Sequence, residues 1–195
     1  MKLENIKYQV ATKEDLDQVE ELQKKYHVDT ISEEDKKDGF VTTLFTREQF
    51  EELIEKEKGL IIAKDKNKVV AYAMSASWDY WEAWPLFRHM IKDLDDTEFN
   101  GQKLTTKNSY QYGPVCIDKE YRGMGIIENI FEYSRRQFKD RYKVMLTFIN
   151  KINPRSLYTH TEKLGMEIIK TFEFNDNNYY ELGYDMNVKT KNSNI

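Results

Sequence analysis

Near its N-terminus, the chain changes from an extended run to a helical pattern of apolar residues. Residues 8–10 form the short extended run. The spacing of the following apolar positions, three to four residues apart, predicts an amphipathic helix through Leu16, Val19, Leu22 and Tyr26. The chain is therefore predicted to begin as a strand followed by a helix.

A second helix and a hairpin follow. Thr46 and Gln49 have the spacing of a capping box, and Gly59 is placed to end the helix that they open. Two apolar runs, at residues 60–63 and 69–74, flank a short charged turn and predict an antiparallel hairpin.

The second half alternates strands and helices. The predicted order is a strand at 109–117, a helix at 126–139, a strand at 144–149, a helix at 154–163, and a hairpin of 166–174 with 179–186. Because most strands neighbour one another in sequence, we expect an α+β domain with a mixed, mostly antiparallel sheet flanked by helices. We expect one domain over residues 1–187 and a polar tail over 188–195.

Composition narrows the functional class. The chain has 195 residues, of which 39% are hydrophobic and 13% aromatic, as in a folded domain. A net charge of -4 argues against nucleic-acid binding. The charged N-terminus, the absence of an apolar run long enough to cross a membrane, and the single cysteine predict a cytoplasmic protein. With three histidines and one cysteine, we expect no metal site.

The sharpest local feature is the turn at residues 122–126, directly after a strand and before an amphipathic helix. Gly123 and Gly125 let a ligand approach the backbone, and the amides of the first helical turn can bind an anion such as phosphate. The third glycine of a dinucleotide fingerprint is replaced by Glu128, and the Gly-Lys-Ser/Thr of a P-loop is missing. Alternatively, the glycines only shape a tight turn.

Two segments resemble the GNAT acetyltransferases. Arg122-Gly123-Met124-Gly125-Ile126-Ile127 is similar to the pyrophosphate motif Gln/Arg-x-x-Gly-x-Gly/Ala, with Ile127 departing from Gly or Ala. About thirty residues on, Asn153 to Met166 resembles the segment Asn-x-x-Ser/Ala…Lys-Leu-Gly-Phe/Met. The resemblance implies a GNAT fold, in which two central strands splay apart, and an N-acetyltransferase that moves the acetyl group of acetyl-CoA directly to an amine.

The resemblance also implies which residues hold the acetyl-CoA. The pantetheine would pair with the backbone of the strand before the turn, the pyrophosphate would bind the turn amides beside Arg122, and the second segment would lie near the pantetheine. These cofactor-binding residues are Val115, Cys116, Ile117, Arg122, Gly123, Met124, Gly125, Ile126, Ile127, Asn153 and Ser156.

The general acid is less well defined by the resemblance. Family members often use a tyrosine four residues before the Leu-Gly glycine, and here that position is Thr161 in a segment one residue longer than usual. Tyr158 and His160 are the nearby proton donors, although either could be structural. We expect a relayed water as the base, and no nucleophilic role for Cys116.

An aromatic segment begins at Trp78. It suggests two alternatives: an acceptor pocket that holds a cationic amine, or a hydrophobic cap or homodimer contact. The predicted acceptor-binding residues are Trp78, Asp79, Tyr80, Trp81 and Tyr112. The acceptor is expected to be a small molecule or a peptide amine.

Three functions remain open at this point. The first is an acetyltransferase, the second a non-catalytic acyl-CoA-binding or sensing module of the same fold, and the third an interaction protein that does not bind CoA. Departures from the family pattern at Ile127 and Thr161 keep the second alternative open.

Overall fold

The computed structural model describes residues 6–36 and 39–195. The chain divides into two compact units. The first contains the described residues up to Ser75 together with Gly113–Gln137 and Asn192–Ile195, and the second contains Ala76–Tyr112 and Phe138–Lys191.

The first unit is a small antiparallel sheet with helices. Its strands lie in the order β1, β2, β3 and the end of β6. Its elements are β1 (Ile6–Val10), α1 (Leu16–Lys25), α2 (Glu33–Lys36), α3 (Arg47–Glu52), β2 (Leu60–Asp65), β3 (Lys68–Ala76), the last residues of β6 (Ser109–Ile117) and α6 (Ile126–Phe138). The last residue of α6 belongs to the second unit. The pairs β1–β2 and β2–β3 are antiparallel, so the predicted hairpin is confirmed.

Local hydrogen bonds fix the start of α1. The Thr12 amide donates to Asp15 Oδ2 over 2.9 Å, and Lys64 Nζ reaches the other carboxylate oxygen of Asp15 over 2.6 Å. Leu16 and Val19 are then fully buried on the inner face of the helix. The capping pattern therefore sets the helix start, and burial of the apolar stripe stabilises the helix.

The end of the second helix differs from the prediction. After α3 the chain continues as a π-helical turn, Leu53–Glu57, and Lys58 rather than Gly59 takes the left-handed conformation, with φ 55°. Gly59 is needed for another reason, because a Cβ there would lie 1.7 Å from the carbonyl oxygen of Ser75. The glycine allows a close approach of two backbones instead of ending the helix.

The main strands of the second unit lie in the order β6, β7, β9, β8. Its elements are α4 (Trp78–Trp81), α5 (Pro85–Lys92), the two-stranded hairpin of β4 (Glu98–Phe99) and β5 (Gln102–Lys103), the first residues of β6, β7 (Val144–Asn150), α7 (Pro154–Tyr158), β8 (Glu167–Phe174) and β9 (Asn177–Asp185). The pairs β7–β9 and β8–β9 are antiparallel. The pair β6–β7 is parallel and joins Ser109–Gln111 to Val144–Leu146. The mixed, mostly antiparallel sheet is thus confirmed.

Candidate functional site

The glycine turn has the backbone that its sequence predicts. A short 3-10 helix, Lys119–Tyr121, follows β6, and Gly123 and Gly125 then take left-handed φ values of 76° and 79°. Residues with a Cβ avoid this region, which explains both glycines. A Cβ built on Gly123 would meet nothing within 4 Å, so the space above the turn is open.

The amides at this turn are available to a ligand. The first backbone hydrogen bond of α6 runs from the Asn129 amide to the Gly125 carbonyl, over 3.3 Å. Within the part of the chain that the structure describes, the amides of residues 123–128 meet no hydrogen-bond acceptor. Together with the positive end of the helix dipole, they can bind an anion.

Arg122 is held beside the turn. Its Nε donates to the Ile117 carbonyl over 3.0 Å, and its guanidinium lies 5.0 Å from the centre of the Tyr26 ring. Both contacts leave the guanidinium at the end of β6, where its positive charge adds to the positive N-terminal end of the α6 dipole in attracting an anion. The arginine therefore has a structural role as well as the predicted role beside the pyrophosphate.

Asp118 is a residue that the sequence did not single out. It is 2% exposed, and it accepts hydrogen bonds from the Tyr26 hydroxyl, over 3.0 Å, and the Glu120 amide, over 3.3 Å. Burial acts to raise the pKa of Asp118, but these hydrogen bonds and the ion pair with Lys25 outweigh it and lower the pKa. Asp118 therefore fixes the chain between β6 and the turn as a buried, ionised carboxylate.

Cys116 lies on β6 with its thiol inside the first unit. It is 4% exposed, and burial raises the pKa of its thiol to about 12. At pH 8 only about one thiol in ten thousand would be ionised. This environment agrees with the expectation that Cys116 is not a nucleophile.

We predict that this thiol is inert in the folded protein. Native protein at pH 8 should react with a chromogenic disulfide reagent at least about a hundredfold more slowly than protein in denaturant, because burial and the raised pKa both suppress the thiolate. The rate is measured from the absorbance of the chromophore that the reaction releases, which should reach one equivalent per chain when the thiol has reacted completely. Equal rates with and without denaturant would contradict the buried placement of Cys116.

The second motif begins with a helix cap. Asn153 Oδ1 accepts the Ser156 amide over 3.0 Å, and Pro154 occupies the first helical position. The amide nitrogen of the Asn153 side chain is left as a possible donor to a ligand. Asn153 therefore caps α7, whereas the cofactor contacts of Asn153 and Ser156 stay predictions.

The extra residue of this segment is accommodated by a π-helical turn. After α7 the chain forms the turn Thr159–Lys163, in which the Leu164 amide donates to the Thr159 carbonyl, five residues back, over 3.1 Å. A π-turn holds one residue more than an α-turn and is frequent at functional sites. It brings His160, rather than Thr161, to a buried position, with 8% of the residue exposed.

The two candidate proton donors differ in environment. His160 Nδ1 donates to the Ser156 carbonyl over 2.8 Å, and burial lowers the pKa of the imidazole. His160 is therefore neutral at pH 7, with its proton on Nδ1 and a lone pair on Nε2. Tyr158 is 59% exposed. Tyr112 is fully buried, with its ring centre 6.5 Å from that of His160, and burial raises its pKa well above the usual value.

The aromatic segment forms a packed layer on the sheet of the second unit. Trp78 Nε1 donates to Ser109 Oγ over 3.0 Å, and Trp81 Nε1 to the Gln111 carbonyl over 3.4 Å. Both indoles are almost completely buried. This packed environment favours a hydrophobic cap over an acceptor pocket.

The other acceptor-binding predictions have mixed surroundings. Tyr80 is 9% exposed and packs against Trp81 and Trp84, with ring centres 4.9 and 5.5 Å away. Asp79 is exposed and free to meet a ligand. Contact of these residues with an acceptor stays a prediction.

Comparison with known proteins decides the family. The model of the "Acetyltransferase (GNAT) family" matches residues 16–166. The chain belongs to this family. The match spans α1, the strands β2, β3, β6 and β7, the glycine turn and the segment through Met166 that carries His160. The two motifs recognised in the sequence therefore lie inside one family domain.

Solved structures show the same fold. The chain resembles yncA from Salmonella typhimurium, determined with its cofactor acetyl-CoA, at 12% identity and a TM-score of 0.62, covering 93% of this chain and 94% of that one. It also resembles an N-acetyltransferase from Staphylococcus aureus Mu50, at 15% identity and a TM-score of 0.60, covering 93% and 99%. A third similar structure is the ribosomal-protein-S18-alanine N-acetyltransferase from Escherichia coli, at 9% identity and a TM-score of 0.59, covering 97% of this chain and 99% of that one. A search of curated protein sequences finds no match.

Among residues 6–36 and 39–195, no cluster of His, Cys, Asp or Glu is arranged to hold a metal ion. In the same residues, no helix is both long and apolar enough to cross a membrane.

Proposed function

We propose that this protein transfers an acetyl group from acetyl-CoA to a primary amine of a small molecule or peptide. The observation that carries the proposal is the set of acceptor-free amides at residues 123–128, at the start of α6 in a chain of the GNAT family. A pyrophosphate supplies the oxygen acceptors that these amides lack. The bound acetyl-CoA in the Salmonella typhimurium structure supports the choice of donor.

The donor is proposed to bind along β6 and the turn. The pyrophosphate binds the turn amides beside Arg122, and the pantetheine pairs with the backbone of Val115, Cys116 and Ile117. Ile127 contributes its amide, which an isoleucine supplies as well as a glycine does. Asn153 Nδ2 and the Ser156 hydroxyl are further proposed contacts of the pantetheine.

The environments of Tyr158 and His160 suggest how protons move. The amine attacks the thioester carbonyl, and the nitrogen must lose a proton while the leaving thiolate gains one. Neutral His160 can accept the nitrogen's proton at Nε2, because Nδ1 is already engaged with Ser156. Tyr158 can donate its hydroxyl proton to the thiolate, and its exposure lets solvent restore that proton.

Tyr158→Phe should lower kcat by about a hundredfold without changing acetyl-CoA affinity, because only the hydroxyl proton is lost. Steady-state kinetics and calorimetric titration of acetyl-CoA measure the two quantities. Tyr133→Phe, on α6, is the matched control and should leave both unchanged. An unaltered kcat in Tyr158→Phe would remove the tyrosine from the reaction and leave His160 or solvent as the proton source.

Release of free CoA thiol from acetyl-CoA across a panel of primary amines tests the proposed function. At least one amine should accelerate thiol release in proportion to enzyme concentration. If acetyl-CoA binds and no amine accelerates release, the protein is a non-catalytic acyl-CoA-binding module. If acetyl-CoA does not bind, the donor assignment is wrong.

A further inference from the structure

Gln111 and Glu181 are buried polar side chains of the second unit. Gln111 and Glu181 are each 1% exposed. Among residues 6–36 and 39–195, no donor lies within hydrogen-bond distance of Gln111 Oε1 or of either carboxylate oxygen of Glu181. Leaving such acceptors unsatisfied is costly, which makes each of them a candidate ligand contact.

The orientation of the Gln111 amide is fixed by its neighbour. Gln111 Nε2 donates to the Tyr112 carbonyl over 2.6 Å. If the oxygen and nitrogen of the Gln111 amide were swapped, the side-chain oxygen would face the Tyr112 carbonyl oxygen, and two acceptors would meet. The unpartnered atom is therefore the oxygen. Gln111 thus presents a hydrogen-bond acceptor at the end of the paired part of β6 and β7.

Both side chains lie on one face of the sheet. Gln111 is paired with Leu146, and Phe148, two residues further along β7, is paired with Glu181. Strand spacing and rise place the Cα atoms of Gln111 and Glu181 about 12 Å apart. The aromatic layer covers this face, with the Phe87 ring 5.5 Å from that of Phe148.

The surroundings of Glu181 carry an uncompensated negative charge. Lys170 Nζ lies 3.6 Å from Glu181 and 3.7 Å from Asp93, and its hydrogen bond goes to Thr97 Oγ1, over 2.8 Å. One ammonium therefore faces two carboxylates. Burial, which outweighs the attraction of Lys170, raises the pKa of Glu181.

We propose that Gln111 and Glu181 form the acceptor site for a diamine. One nitrogen donates a hydrogen bond to Gln111 Oε1, and the other, as an ammonium, pairs with Glu181 across the Phe148 ring. The nitrogens of an extended 1,4-diamine are about 6 Å apart, and the two side chains span the rest of the distance between the strands. The inference rests on the proposed function, since it names the substrate class of the same reaction. Because both groups are buried, the diamine enters by displacing part of the aromatic layer.

The tryptophans provide a direct readout of binding. All three tryptophans of the chain, Trp78, Trp81 and Trp84, belong to the aromatic layer. Titration of 1,4-diaminobutane without acetyl-CoA should change their fluorescence saturably, and butylamine should bind at least about tenfold more weakly because it lacks the second ammonium. Equal affinities for the two amines would overturn the proposal. The absence of a saturable change with either amine would also overturn it, and would mean that only water meets Gln111 and Glu181.

Two variants make the test specific. Glu181→Gln should abolish the preference for the diamine while retaining weak binding of butylamine, and Gln111→Leu should weaken both amines. Glu173→Gln, an exposed position on the neighbouring strand β8, is the control and should leave the preference unchanged. A preserved preference in Glu181→Gln would contradict the proposal even if that variant folds normally, as circular dichroism would show.

Failure of this inference differs from failure of the acetyltransferase proposal. If acetyl-CoA binds and some amine is acetylated but diamines are not preferred, only the diamine site is wrong. If diamines bind but acetyl-CoA does not, the donor assignment is wrong and the diamine site stands.

Discussion

Gly125→Asp is expected to weaken acetyl-CoA binding by at least about a hundredfold. The new carboxylate would lie among the amides of residues 123–128, where we place the pyrophosphate. Two like charges about 4 Å apart near a protein surface repel by about 4 kcal/mol, which corresponds to more than a hundredfold in affinity. Calorimetric titration of acetyl-CoA is the measurement.

The control for this variant must reproduce its backbone strain. Gly125 has a φ of 79°, so any side chain there is strained whatever its charge. Gly101→Asp, in the turn between β4 and β5, makes the same substitution at a similar φ of 74°, and a Cβ there would meet nothing within 4 Å. It should bind acetyl-CoA normally. Wild-type affinity in Gly125→Asp would show that the pyrophosphate binds elsewhere.

Trp81→Ala is expected to lower the free energy of unfolding by about 3–5 kcal/mol. The side chain is fully buried, its ring centre lies 4.6 Å from that of Phe87, and its indole N–H donates to the Gln111 carbonyl. Removing it leaves a large cavity and an unsatisfied carbonyl. Urea denaturation followed by circular dichroism measures the loss.

The comparison variant is Trp84→Ala in the same layer. Trp84 is only half-buried, so its replacement should cost clearly less than that of Trp81. Similar losses in the two variants would indicate that Trp81 lines an open pocket and does not belong to the packed layer.

Local patterns predicted most of the fold because their causes are local. The capping residues Thr12 and Thr46 mark helix starts through contacts three residues away, and glycines in left-handed conformation mark the turn before α6. Each of these features depends on neighbours in sequence. The hairpins likewise follow from short turns between apolar runs.

Features that depend on distant residues could not be predicted in the same way. The role of Gly59 comes from the approach of Ser75, and Asp118 is stabilised by Tyr26. Glu181 is buried among partners more than ten residues away in sequence, so nothing around it in the sequence distinguishes it from a surface glutamate. The sequence shows that the segment before Gly165, which carries the proposed catalytic residues, is one residue longer than usual. Only the hydrogen-bond pattern of the structure shows that this residue is taken up by a π-turn.

Transfer of a labelled acetyl group tests the central claim most directly. Acetyl-CoA labelled in its acetyl carbons is incubated with the protein and an amine panel, and the products are separated and identified by mass spectrometry. We predict an N-acetylated amine that carries the label and is formed in the same amount as the free CoA that is released. Binding of acetyl-CoA with no labelled amide from any amine would contradict it.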